Sequence, residues 1–190
     1  MNKKTQTLKQ LVGPFLSQIA SGRTTIYNEF SLQHELGIYL RLAFPNLLVQ
    51  FERNVRSFFP NSSSFSKHEI DISVLSSDSN ELKWAIELKF PRNGQYPEQM
   101  FSFCRDILFA EQLKAAGFAS AGVVIVADDP PFWSGNPQGI YGYFRGGNVL
   151  HGLVTKPTGR KDAELNISGS YVTQWEDITK DLRAAVIEAS

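Results

Sequence analysis

Three residues in one stretch of the chain have the types and spacing that metal-assisted phosphate chemistry needs. Asp71 lies in HEIDISVL, between Ile70 and Ile72, and Glu87 and Lys89 lie in WAIELKF, on either side of Leu88. Successive side chains of a strand point to opposite faces, so Glu87 and Lys89 share a face. If the two segments pair with Ile70, Ile72, Ile86 and Leu88 towards the core, Asp71 joins that face, and two carboxylates converge with a lysine. Mg²⁺ prefers hard oxygen ligands, takes one or two carboxylates and keeps several waters. A cation beside a phosphate polarises it and lowers the pKa of a bound water. A nearby lysine can orient that water or offset the negative charge of the transition state.

The elements that must hold these residues are legible as periodic patterns. Residues 5–20 carry Leu8, Leu11, Val12, Phe15, Leu16 and Ile19 at helical spacing, with Gly13-Pro14 as an expected kink or interruption. A second helix is expected from about Asn28 to Ala43, stopped by Pro45-Asn46, and Leu47 to Phe51 reads as a strand. The serine-rich stretch 61–66 reads as a mobile loop. Ile70 to Leu75 and Leu82 to Phe90 alternate as strands around the turn cluster Ser76 to Asn80, which makes a hairpin. A long helix follows, with Pro97 in its first turn and Gly117 at its stop. GVVIVA at 122–127 reads as a buried strand reached by a parallel crossover. Beyond it, Tyr141 to Phe144, Val149 to Thr155 and Ser170 to Thr173 are expected strands, and Trp175 to Glu188 an expected final helix bearing Ile178, Leu182 and Val186. The order predicts an α/β fold with a mixed sheet flanked by helices and a β-rich C-terminal extension over 128–190.

An aspartate on one strand followed by E-x-K on the next resembles the PD-(D/E)XK nuclease superfamily. Here the pattern is Asp71, then Glu87-Leu88-Lys89 sixteen positions on, and the flanking elements over residues 28–127 follow the order of that restriction-endonuclease-like core. Ile70 stands where the motif is named for proline, a replacement the superfamily tolerates. The resemblance implies that Asp71, Glu87 and the Leu88 carbonyl bind Mg²⁺ or Mn²⁺ and that Lys89 positions or activates the attacking water. Many members add a glutamate from the preceding helix. Glu35 is the candidate because it flanks the stripe of Leu32, Leu36 and Tyr39; Glu29 also flanks it, near the helix start, where an acid complements the dipole. Polar residues from the following helix assist in some members; Gln99, which shares a helix side with Asp106, is the accessory candidate, and His68 beside the motif strand is another. The implied activity is a metal-dependent endonuclease acting on nucleic acid, DNA before RNA, in restriction, phage defence, mobile-element biology or repair. One such site cuts one strand, so double-strand cleavage implies a homodimer, and a partner protein is the other route to target specificity. The alternative is a catalytically inactive nucleic-acid-binding or interaction module on the same fold. A further alternative makes Glu87 and Lys89 a structural ion pair in an enzyme of other chemistry.

Each motif has a plainer reading. E-x-K alone is common on surface strands, and Asp71 alone could cap a turn; only their conjunction with the outer helices is informative. A histidine at a strand end is usually solvated. Asp128-Asp129 end a core strand, where ligands often bind in α/β folds, but a Pro-rich loop boundary explains them as well. Cys104, among Phe101, Phe103 and Ile107, reads as a small buried hydrophobe. Phe132, Trp133, Tyr141, Tyr143 and Phe144, with Arg145, could stack bases but more often form a second core. No Ser-His-Asp arrangement, zinc spacing or P-loop is present, and Gly146-Gly147 is a turn signal.

The bulk numbers fit one domain over 1–190, with 42% hydrophobic and 20% charged residues. The 19 basic and 19 acidic residues balance, which lends no support to a nucleic-acid reading, and a groove defined by a metal site is expected rather than a wholly cationic surface. The single cysteine precludes an internal disulfide. No signal peptide or membrane-length apolar run is evident, so a soluble cytoplasmic protein without membrane contact is the expectation.

Overall fold

Helix α1 (Leu8–Ala20) starts where Thr7 and Gln10 cap each other reciprocally, satisfying two N–H groups that the first turn leaves free. It runs unbroken through Pro14, whose ring faces solvent, and Gly13 has nothing crowding it. Helix α2 (Glu29–Ala43) begins in the same way at Asn28, whose side chain accepts from the Ser31 N–H at 2.8 Å. The structure, a computed structural model, describes residues 6–61, 65–92, 94–159 and 163–190; the centre of the expected serine-rich loop, 62–64, lies outside them, as does Thr5 at the expected start of the first helix.

Six strands form one mixed sheet: β1 (Leu47–Asn54), β2 (Glu69–Ser76), β3 (Leu82–Lys89), β4 (Ser120–Ala127), β7 (Trp175–Asp177) and β8 (Arg183–Glu188), in the order β1-β2-β3-β4-β8-β7. The expected hairpin is β2–β3, with Ile72 opposite Ile86. Helix α3 (Tyr96–Ala116), stopped at Gly117, carries the chain across the sheet so that β4 runs parallel to β3. Helices α1 and α2 cover one face, packing Leu11, Phe15, Leu32 and Leu36 against Ile72, Trp84, Ile86 and Val124. Helix α3 covers the other, packing Phe103, Cys104 and Ile107 against Val123 and Ile125. Each such fully buried side chain contributes about 1.5–3 kcal/mol.

The C-terminal third departs from expectation. Residues 175–188 are two strands, not a helix. Ala184, Ala185 and Ile187 of β8 are buried against β4, and Gly122 lets β8 and α1 approach closely, since a Cβ there would lie 2.4 Å from the Ile187 carbonyl oxygen. Pairing with a strand some sixty residues away outweighs the local helical pattern. The region 128–190 is therefore no simple extension, because two of its strands complete the central sheet. Tyr141–Arg145 is a short helix, α4, rather than a strand. Strands β5 (Leu150–Thr155) and β6 (Glu164–Tyr171) form a separate hairpin over α3, so the strand expected at 170–173 lies mostly earlier. Phe132 and Phe144 pack with Phe103 in the second core that the aromatic-rich tail suggested. Among the described residues no helix is long and apolar enough to cross a membrane.

Candidate metal centre

The hairpin opens at its end nearest α2. Regular pairing of β2 with β3 stops at Ile72 and Ile86, and side chains take over the backbone groups beyond it. The Leu88 N–H donates to Asp71 Oδ2 at 2.7 Å, and the Asp71 N–H donates to Glu87 Oε1 at 3.3 Å. Across β1, Glu52 sits between the pairs Phe51–Ile72 and Arg53–Ile70 with φ +49°, a conformation that costs a non-glycine residue free energy. The regular alternation fails here. Ile70 packs with Val55, Ala85 and Phe109 on the α3 side, not with Ile72, Ile86 and Leu88 as expected. Asp71 instead lines a small cavity with Glu29, Phe30, Gln33, Glu52 and Leu88. Gln33 fixes this edge by donating to the Asp71 carbonyl at 2.9 Å and to the Glu52 carboxylate.

Asp71, Glu87 and Lys89 are thus brought together, and three residues from outside the motif, Lys67, Asp106 and Glu29, join them. Lys67 donates to Glu87 Oε2 and, at 2.9 Å, to Asp106 Oδ1. Lys89 stands 3.3 Å from Asp106 Oδ2 and 3.8 Å from Glu29 Oε1, and does not pair with Glu87, so the structural Glu87–Lys89 ion pair does not form. Glu29 Oε2 also accepts the Phe90 N–H at 3.1 Å. Four carboxylates therefore surround two ammoniums, with Glu87 fully buried and Asp106 2% exposed.

This excess of acid in a dry place shapes the titration. Burial pushes the Asp71 carboxyl up to about 6, against the pull of Lys67 and the Leu88 N–H. Burial, with the neighbouring Asp71, raises Glu87 well above the carboxylate range. Burial alone would lower Lys89, but Asp106, Glu29 and Asp71 outweigh it and hold the ammonium above its usual value. Lys67 behaves in the same way, raised by Glu87, Asp106 and Asp71 despite burial. Both lysines are therefore cations, suited to steadying anions and donating hydrogen bonds rather than to accepting a proton.

Other candidates lie elsewhere. Glu35 is not at the site; it lines a separate surface hollow with Gln18, Thr24 and Tyr39. Six residues separate it from Glu29, which turns the two about 120° apart on the helix and sets them about 9 Å apart along it. Glu29 is the helix carboxylate that arrives. Gln99 is half-buried about 10 Å along α3 from Asp106, and Asp106 is the member of that helix side that reaches the cluster. His68 is exposed, and its neighbour Lys67 reaches in. Asp128 pairs with Arg92 at 3.0 Å and Asp129 accepts from Tyr96 at 2.7 Å, so both are engaged in local contacts. Burial pushes the Cys104 thiol up to about 12, consistent with an inert core residue.

Among the described residues no group of three or more His, Cys, Asp or Glu side chains is arranged to hold a metal ion. Lys67 places its ammonium between Glu87 and Asp106. The donor set nevertheless fits a divalent cation. Two carboxylates and a carbonyl suffice for Mg²⁺, the cluster carries two more acids than bases, and the buried Asp106 Oδ2 accepts no hydrogen bond. No protein-family model, curated protein or solved structure matches the chain.

Proposed function

We propose that this chain is a divalent-metal-dependent nuclease with a PD-(D/E)XK active site on a restriction-endonuclease-like core, hydrolysing phosphodiester bonds, with DNA as the first substrate to test. The observation that carries the reading is the meeting of Asp71, Glu87 and Lys89 at the open end of the hairpin, joined by Glu29 from the preceding helix. The order α2, β1, β2–β3, α3, β4 supports it, being the order this core requires.

Asp71, Glu87 and the Leu88 carbonyl would hold Mg²⁺ or Mn²⁺, which when bound supplies a polarised phosphate and an acidified water. Lys89 does the rest of the electrostatic work. Its ammonium, held by Asp106 and Glu29, donates to the attacking water or to a phosphate oxygen and offsets the charge that develops there. Gln33 keeps β2 in place beneath Asp71. The test is cleavage of supercoiled, linear and single-stranded DNA and of RNA with Mg²⁺ or Mn²⁺, with Asp71→Ala and Lys89→Ala alongside. Metal-dependent cleavage lost in both variants is expected. Cleavage that survives both substitutions puts the active site elsewhere.

A second reading rests on Lys67. Its pairing with Glu87 and Asp106 is also what a purely structural ion network contains, and so suits an inactive binding module on the same fold. Nucleic-acid binding without cleavage and without any effect of divalent cations supports this reading.

A further inference from the structure

Lys67 lies outside the motif, four residues before Asp71, yet its ammonium occupies the middle of the cluster. It bonds one oxygen each of Glu87 and Asp106 and stands 5.6 Å from the centroid of the Phe109 ring. Both Glu87 oxygens are already engaged, Oε1 by the Asp71 N–H and Oε2 by Lys67. Two buried carboxylates side by side without a cation would be strongly destabilising. When no divalent ion is bound, a positive charge at this point offsets them. Lysine suits a charge that must also leave, because its ammonium is compact and sits on a flexible stem, whereas an arginine fork is held by several directed bonds. Asp106 can keep the ammonium once it leaves Glu87, because Lys67 already bonds its Oδ1 at 2.9 Å, while Oδ2 faces Lys89 at 3.3 Å without a hydrogen bond.

We propose that Lys67 is the resident counter-cation of the Glu87–Asp106 pair and that it competes with the divalent cation for Glu87. The inference rests on the metal-site reading above. On metal binding the ammonium gives up Glu87 and stays on Asp106, which makes Asp106 a positioning residue for both lysines. Lys67 thus sets the cation concentration at which the site loads: it stabilises the unloaded protein and weakens the apparent affinity of the loaded one.

The test is calorimetric titration with Mn²⁺ or Ca²⁺ alone, without nucleic acid, on the wild type, Lys67→Gln and Asp71→Asn. Removing the internal competitor is expected to tighten binding about 10-fold, while Asp71→Asn loses binding. Equal or weaker binding by Lys67→Gln, with clear binding by the wild type, overturns the competition and leaves the metal site standing. No binding by either protein overturns both. Glutamine keeps a donor for Glu87, which favours folding, but a measurement on the wild type needs no variant. The Lys67 ¹⁵Nζ resonance is expected to shift when Ca²⁺ saturates the site, and a resonance unchanged at saturation sinks the proposal.

Discussion

Helix α3 carries two buried acids five residues apart, Asp106 and Glu111, and they have opposite surroundings. Glu111 is met by four neutral donors on β6. Its oxygens accept from the Ser168 N–H and hydroxyl at 3.1 and 2.9 Å, from the Gly169 N–H at 2.6 Å and from the Tyr171 hydroxyl at 2.9 Å. Each oxygen accepts two hydrogen bonds, so it fastens the β5–β6 hairpin to the helix. Asp106 is met by two ammoniums, keeps one oxygen without a hydrogen bond and shares its surroundings with Asp71 and Glu87. Burial is common to both. What separates a structural acid from a candidate functional one is the kind of donor and whether the set is complete.

The sharpest way to break this contrast is to neutralise one acid on each side. At the site, Asp71→Asn is expected to lower metal-dependent cleavage by about 10³-fold or more, the range for losing a group that stabilises the transition state. It is also expected to raise the stability of the metal-free protein at pH 7.5, because it removes a carboxylate that burial disfavours. Activity assays paired with thermal unfolding read both. A variant that lost activity and stability together would make Asp71 a structural acid like Glu111.

Glu111→Ala should do the reverse. It strands donors on β6, and a loss of about 3–4 kcal/mol is expected, or roughly 10 °C in unfolding midpoint for a chain of this size. Cleavage per folded molecule stays within about two-fold of wild type, since Glu111 makes no contact with the cluster. A large loss of activity in folded Glu111→Ala would join the two acids into one network.

The same contrast explains how far the chain could be read from its sequence. Asp71, Glu87 and Lys89 were legible because strand alternation and E-x-K are local patterns. Asp106 left a weaker trace, a charged residue on the apolar face of α3 between Phe103 and Ala110. Lys67 left none, because it enters from a loop without periodicity and its partners lie twenty and thirty-nine positions away. Alternation misplaces Ile70 because it assumes a regular strand, and the pairing of β1 with β2 is interrupted at Glu52, whose φ is positive. The final strands were missed for a related reason. Ile178, Leu182 and Val186 fit a helix locally, while their fate is set by β4, and Tyr141–Arg145 was short enough for either form.

Titration sharpens the comparison further. Burial holds the folded Asp71 carboxyl at about 6, against an ordinary value of 3.8. For a raised carboxyl the sign is fixed. The native state holds the proton more tightly, so the stabilisation is fully present below about pH 4 and is lost as pH rises through about 6. Unfolding midpoints in a metal chelator, measured from pH 4 to 7.5, should therefore fall relative to Asp71→Asn by the equivalent of about 2–3 kcal/mol. Saturating Mg²⁺ should flatten the difference, since a bound cation favours the ionised form. A wild-type minus Asp71→Asn difference that does not vary with pH would remove Asp71 from the electrostatic account.

The smallest expected effect separates the two glutamates of α2. Glu29 touches the cluster at its edge, holding Lys89 at 3.8 Å and the Phe90 N–H at 3.1 Å, and is about half exposed. Glu29→Gln keeps an acceptor for Phe90 but removes the charge that helps to aim Lys89. A loss of about 10-fold in cleavage is expected, as for partners that orient a ligand without being one. Exposure limits the effect on stability to well under 1 kcal/mol. Glu35→Gln, on the other side of the helix beside Gln18 and Tyr39, should change neither quantity measurably. Reversed results, with Glu35 mattering and Glu29 silent, would mean that α2 presents a different face to the site when substrate binds. The cavity that Glu29 shares with Asp71 would then not be the working one.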